Sequence, residues 1–328
     1  MSRDISIDMS VYQRALNQAA YYVIPDPGLL QFSGHDRIAF LQRQTTNDLN
    51  ALTPQHTLVT TLTSPTARIL DVLTLMGEDD TFSALTLAGR ATQTTAYLQS
   101  RIFFMDKLTV SDASAHFTQI ELLGPQSGST MTALGFSKLV KEDEIISTEI
   151  NEGIVLAFNT FGSSLRLLAP IENIETVLAA LDTAGAEQLK KDTYEVLRVE
   201  AGMPAPGHEL TEDYSPLETG LMDTVSMTKG CFTGQEVIAR QVNFDKVTRR
   251  LVGLRLAEMV NTGTTVKSHE NNQPAGIITS TTASPRFGPI ALAVLKRPFD
   301  QPGTQLIATQ GDNNISATVT NLPFFPDS

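Results

Sequence analysis

The eight residues Lys229-Gly230-Cys231-Phe232-Thr233-Gly234-Gln235-Glu236 set the only cysteine of this 328-residue chain two positions from a lysine. The thiolate is the form of cysteine that attacks electrophiles and binds soft metals, and a nearby ammonium favours it over the thiol. Thr233 and Glu236 have the T-x-x-E spacing of a capping box, which predicts a helix opening after Thr233 and continuing through Val237, Ile238 and Val242. Cys231 then lies two residues before the N-cap, where the helix dipole contributes only about 0.3 to 1 kcal/mol. Lys229 must therefore also approach the sulfur. Cys231 and Lys229 are the candidate catalytic residues on this reading. An inert, buried cysteine is the competing reading, and the glycyl and polar neighbours argue for exposure instead.

One cysteine excludes an intramolecular disulfide framework, a Cys-only zinc site and a self-contained iron-sulfur site. His35, His56, His116, His208 and His269 show no metal-ligating spacing, so no metal is expected. The formal net charge of −12 disfavours direct nucleic-acid binding. Locally the balance inverts: from Lys229 to Arg255, six basic residues (Lys229, Arg240, Lys246, Arg249, Arg250, Arg255) stand against Glu236 and Asp245. That window reads as a solvated face or as an anion-binding lip beside Cys231. The start of the chain, Met1 to Asp8, is acidic where a signal peptide is basic, and no apolar run is long enough to span a bilayer. A cytoplasmic location, no membrane contact and a monomer are the expectations.

The elements that must position Cys231 are mixed. Two further cap patterns, Ser33 to Asp36 and Asp192 to Glu195, each predict a helix start, and Ile174, Val177, Leu178 and Leu181 form one apolar helical stripe. Hairpins are predicted for 67–76 with 82–87 and for 153–158 with 164–169, with a strand at 117–123. From Leu251 onward only short strands remain, at 251–256, 276–279, 290–295, 305–308 and 315–320. The fold class is therefore α+β, with 1–245 as the larger region, built from two interleaved α+β subdomains, and 246–328 as a C-terminal β-barrel.

Several segments, in this order, resemble the folate-binding fold of the glycine-cleavage T-protein. They are Phe32 to Asp36 with Phe40-Leu41-Gln42 and Thr45-Thr46-Asn47-Asp48; Leu122-Leu123-Gly124-Pro125; Leu197-Arg198-Val199-Glu200-Ala201-Gly202-Met203-Pro204; Pro216 to Leu221; and Thr279-Ser280 with Ser284-Pro285. The Lys229 to Glu236 segment is similar to the K-G-C-[FY]-x-G-Q-E motif of the YgfZ-type relatives, which T-proteins lack. This resemblance implies a three-domain ring around a central folate channel, with tetrahydrofolate or a formyl or methylene derivative as cofactor. It also implies a role in assembling or repairing iron-sulfur enzymes, including those used in tRNA modification, with such enzymes or assembly factors as partners. A reduced pterin offers N–H donors that a carboxylate can accept in bidentate fashion. Glu200 is the residue implied for that role, against an ion pair with Arg198 or a helix-end contact. Arg198, Gln235 and Asn47 are implied as further folate contacts, with Arg240 and Arg249 or Arg250 for the glutamyl tail. One departure bears on chemistry: where T-proteins resemble L-D-D, this chain has Leu70-Asp71-Val72, and an isopropyl group cannot serve aminomethyl transfer. A tetrahydrofolate-dependent aminomethyltransferase remains the alternative function.

Overall fold

The computed structural model describes residues 7–324. Strands Gly28–Ser33, Thr57–Thr63, Ile69–Gly77, Thr81–Thr86 and Thr109–Asp112 form a five-stranded sheet in the order 57–63, 69–77, 81–86, 28–33, 109–112. Alternate residues of these strands are large and apolar, so one face buries Leu30, Phe32, Leu73, Leu75, Phe82 and Ala84 under helices Arg37–Gln44 and Ala91–Gln99, which supply Phe40, Leu41 and Leu98.

This unit is inserted between two strands of a second sheet. Ala20–Val23 precedes it and Phe117–Leu123 follows, and the two pair antiparallel within a six-stranded sheet ordered 187–188, 20–23, 117–123, 165–170, 153–159, 146–150. Helices Ser127–Ala133 and Ile174–Thr183 cover its outer face through Met131, Val177 and Leu181. The predicted stripe is the buried face of the latter helix. The two sheets meet through Leu29, Met76 and Leu85 on one side and Phe158 and Leu168 on the other.

The third lobe is a closed barrel of Arg249–Leu256, Thr265–Ser268, Pro274–Ser284, Gly288–Lys296, Gln305–Gln310 and Asn313–Thr320. Closure removes sheet edges. The sequence reading missed Thr265–Ser268, whose four residues give too short an alternation to register. Helix Lys191–Glu200 joins the lobes: Val196 and Leu197 pack on the six-stranded sheet and helix Met9–Asn17, whereas Val199 packs on Ile290 and Leu292 of the barrel.

None of the three predicted capping patterns forms a side-chain cap. The helices exist, but their N-caps are Asp36, Lys190 and Gly234, without a capping side-chain hydrogen bond. At the third, Thr233 is held outside the helix because its amide donates to the Arg43 carbonyl at 3.0 Å. Gly234 turns the chain at φ 84°, where an added Cβ would come within 2.8 Å of the Ser64 carbonyl oxygen. Side-chain caps form elsewhere: Asp8 accepts from the amides of Ser10 and Val11, and Asp48 from the amide of Asn50.

Candidate functional site

A cavity of about 1580 Å³ lies where the three lobes and helix Lys191–Glu200 meet. It exceeds the roughly 300 to 1,000 Å³ of ordinary small-molecule sites, so a ligand and a second reactant could share it. The six-stranded sheet contributes its most polar row. Strand register sets Tyr22 beside Glu121 and Glu121 beside Arg166, and Gln119 lies two residues from Glu121 on the same face.

The charges on this wall are partly satisfied. Arg166 donates to Gln119 Oε1 at 2.9 Å and to Glu121 Oε2 at 3.2 Å, and the Tyr194 hydroxyl donates to the same Glu121 oxygen at 3.0 Å. Tyr194 stacks on Tyr22 with ring centroids 3.9 Å apart. Burial, reinforced by Glu121, pushes the Tyr194 phenol up, so it stays a neutral donor. Facing this row, Glu195 accepts two hydrogen bonds from Arg198 through Oε2 alone, at 3.0 and 2.7 Å. Arg198 also donates to the Met203 carbonyl and to Ser280 Oγ, and that hydroxyl donates to Glu209.

What remains open is informative. No hydrogen bond from the described residues reaches Oε1 of Glu121 or of Glu195, while Arg166 Nε and Thr281 Oγ1 are buried without a partner. Both latter residues line the cavity. Orphaned buried polar groups are uncommon, and ordered water or a bound molecule is what usually satisfies them. Lys191 and Asp192 lie exposed at the rim, and His208 bonds the Thr279 carbonyl through Nδ1, leaving its other ring nitrogen to the cavity.

Of the candidate site residues named from the sequence, Arg198 lines this cavity, together with Leu197, Ala201, Met203 and Pro204 of its segment. Glu200 differs from expectation. Five residues on from Glu195 along the helix, it points away, accepting from Tyr12 at 2.7 Å, Ser284 at 2.5 Å and the Arg286 guanidinium, beside a smaller cavity of about 570 Å³. Arg249 is engaged by Glu218 at 2.9 Å and lies over the Tyr214 ring. Arg240 is exposed on helix Gln235–Asn243, whose first residue is Gln235, and neither faces the cavity. The Asn47 amide donates to the Val59 carbonyl and its oxygen accepts from Asp48. Tyr22, Gln119, Glu121, Arg166, Tyr194 and Glu195 escaped the sequence reading. For Tyr22, Gln119, Glu121 and Arg166 the signal is a polar or charged side chain within strands of buried apolar residues, whereas Tyr194 and Glu195 lie on helix Lys191–Glu200.

The Cys231 segment forms a separate place. Cys231 is exposed. Lys229 does not serve it as expected, because its ammonium is buried and donates to the carbonyls of Gln42 and Thr45 at 2.8 Å and of Asn47 at 2.5 Å. All three N–H donors are thereby occupied at the end of helix Arg37–Gln44. Burial lowers Lys229 to about 8, opposed by Asp48. Its side chain anchors the loop.

Val72 packs with Ile69, Leu87, Leu210 and Leu221, and no carboxylate stands at that position. Asp71 faces the opposite way. Its Oδ1 accepts from the amides of Val72 and Leu87, its Oδ2 from Thr94, and burial raises it to about 7. It holds Leu87, a cavity residue, from behind.

These features define a three-lobed protein with a polar-walled cavity lined by all three lobes. Residues 25–161 match the GCVT N-terminal domain and residues 249–326 the glycine cleavage T-protein C-terminal barrel domain. The chain therefore carries both of these T-protein domain types. A chloroplastic protein of Arabidopsis thaliana with a provisional transferase name is 28% identical over 90% of this chain and 69% of its own length. An aminomethyltransferase of Moorella thermoacetica is 27% identical over 96% of this chain and 88% of its own. The crystal structure of the glycine cleavage system aminomethyltransferase T from Bartonella henselae superposes with a TM-score of 0.84 at 22% identity, covering 97% of this chain and 89% of that one, which establishes the common fold. Among the described residues no cluster of His, Cys, Asp and Glu is arranged to hold a metal ion, and no helix is long and apolar enough to cross a membrane.

Proposed function

We propose that this protein binds a reduced folate, tetrahydrofolate or a formyl or methylene derivative, in the cavity between its lobes, and uses it to support iron-sulfur enzymes rather than to transfer aminomethyl groups. The observation that carries the folate reading is the half-satisfied wall: free oxygens on Glu121 and Glu195 and an orphaned Nε on Arg166, beside the stacked Tyr22 and Tyr194. Pterin N–H groups suit a carboxylate, the pterin carbonyl suits the guanidinium, and a tail carboxylate suits Lys191 at the rim. The folate would supply one-carbon carrying capacity. The chain's own residues bind and orient it and exclude water from it.

The iron-sulfur part rests on the K-G-C-F-T-G-Q-E segment and on the exposure of its cysteine. Iron-sulfur enzymes, including those of tRNA modification, or their assembly factors would be the partners, met by a cytoplasmic monomer. Aminomethyl transfer is the second reading, favoured by the names of relatives spanning nearly the whole chain. Val72 and its apolar neighbours weigh against it, since no carboxylate is available there to move a proton. Two assays separate the readings. With tetrahydrofolate and an aminomethyl-lipoyl carrier protein the expected outcome is no release of ammonia, and turnover like that of aminomethyltransferases would reverse the ranking. In cells lacking the protein, Cys231→Ser is expected to leave iron-sulfur enzyme activity unrestored, and full rescue would remove Cys231 from the function.

A further inference from the structure

Phe103, Phe104 and Met105 are three consecutive apolar residues that are 68%, 97% and 71% exposed. They sit on a built turn. The Phe103 amide donates to Asp106 Oδ2 at 3.0 Å, the Asp106 amide donates to the Phe103 carbonyl at 2.9 Å, and Arg43 donates to both Asp106 oxygens at 3.0 and 3.1 Å. A hydrogen-bonded frame thus presents large apolar groups to water, at the cost of hydrating them. Preorganised tips of this kind lose little conformational freedom on binding, and Phe, Met and Arg are enriched where proteins meet.

The location adds the second half of the argument. The Arg43 carbonyl accepts the amide of Thr233 at 3.0 Å, so one residue anchors both the apolar tip and the Cys231 loop. In that loop Cys231 is exposed and Met227 is 43% exposed. The tip's flanks are cationic: Arg101 and Lys107 are exposed, whereas the carboxylates of Asp106 and Asp36 are held by Arg43 and by the Lys107 amide with His35.

We propose that the Phe103–Asp106 turn is a docking tip for a partner protein offering an apolar pocket rimmed by carboxylates, and that seating it brings the partner's surface to Cys231. Resting on the iron-sulfur reading above, the partner is an iron-sulfur enzyme. A lipid surface fits less well, because three side chains anchor weakly and a chain of net charge −12 is repelled by anionic headgroups. A second copy of this chain would set the basic flanks against themselves across a two-fold axis.

The test uses the full-length protein and a purified [4Fe–4S] tRNA-modifying enzyme as probe, with Kd measured by interferometry. The double variant Phe104→Ser/Met105→Ser is expected to keep the wild-type melting temperature and folate affinity while binding the probe about tenfold or more weakly. Cys231→Ser should bind it within about twofold of wild type, because docking precedes chemistry. Equal binding by the tip variant overturns the docking tip and leaves the iron-sulfur reading standing. Absence of binding by the wild type overturns the tip and that reading together, with folate affinity untouched. Tip-dependent flotation with phosphatidylglycerol vesicles, or a tip-dependent dimer in sedimentation, would overturn the proposal in favour of lipid or self-association.

Discussion

The cavity wall and the Lys229 loop are both built from buried polar groups, yet they finish differently. On the wall, Glu121 and Glu195 each use one oxygen and keep one free, and Arg166 keeps an unpaired Nε. In the loop, every N–H of the Lys229 ammonium meets a carbonyl, and around Glu200 and Asp71 the carboxylate oxygens are likewise taken. A buried polar group with all its partners inside the chain holds the fold. On the wall, the groups with partners missing are those proposed to meet the folate. Residue type alone does not separate the two, since Glu195 and Glu200 occupy the same helix.

The largest effects should fall on the closed clusters. Glu200→Ala removes the buried acceptor shared by Tyr12, Ser284 and the Arg286 guanidinium, and a loss of about 3 kcal/mol is expected from urea unfolding, kept below the upper range because Arg286 is partly exposed. An unchanged unfolding midpoint would break the contrast at its structural end.

Asp71 gives the same contrast a pH signature. Burial raises it to about 7, so between its ordinary value near 3.8 and about 7 the folded protein holds a proton that the unfolded chain has released. That contribution is fully present below the unfolded value and is lost as pH rises through 7. Measured against Asp71→Asn, wild-type stability should therefore decline from pH 4.5 to 7.5, by up to about 3 kcal/mol. A flat difference would show that its two amide bonds and the Thr94 bond outweigh burial.

Lys229→Met should cost about 2 kcal/mol, by stranding carbonyls at the end of helix Arg37–Gln44. Alkylation of Cys231 should change less than about twofold, because the ammonium is occupied elsewhere. A marked fall in the alkylation rate with stability intact would restore the pairing that the sequence suggested. Smallest of all, Cys231→Ser should leave the unfolding midpoint unchanged, as expected for an exposed side chain.

The sequence made the layers legible because they follow from apolar period. The stripe Ile174, Val177, Leu178, Leu181 and the strand Phe117–Leu123 lie where the alternation says. Caps were not legible. T-x-x-E describes a local option, and at Thr233 a hydrogen bond to Arg43, about 190 residues away in sequence, took the threonine amide instead. The cavity wall was hidden for the same reason: Tyr22, Glu121 and Arg166 come together only through strand register. The motif around Glu200 lies on the helix that lines the cavity, but Glu200 itself is on the side facing Tyr12 and Arg286. A helix turn of about 100° per residue puts positions five apart on different faces, and motif matching carries no face.

The central claim is that the half-satisfied wall binds the folate and the satisfied clusters do not. Isothermal calorimetry with tetrahydrofolate on wild type, Glu195→Gln and Glu200→Gln tests it most directly. Binding by the wild type, weakening by about 1 to 3 kcal/mol in Glu195→Gln and an affinity within about twofold of wild type in Glu200→Gln are the predicted results. Weakening confined to Glu200→Gln, or no heat of binding with the wild type, would contradict it.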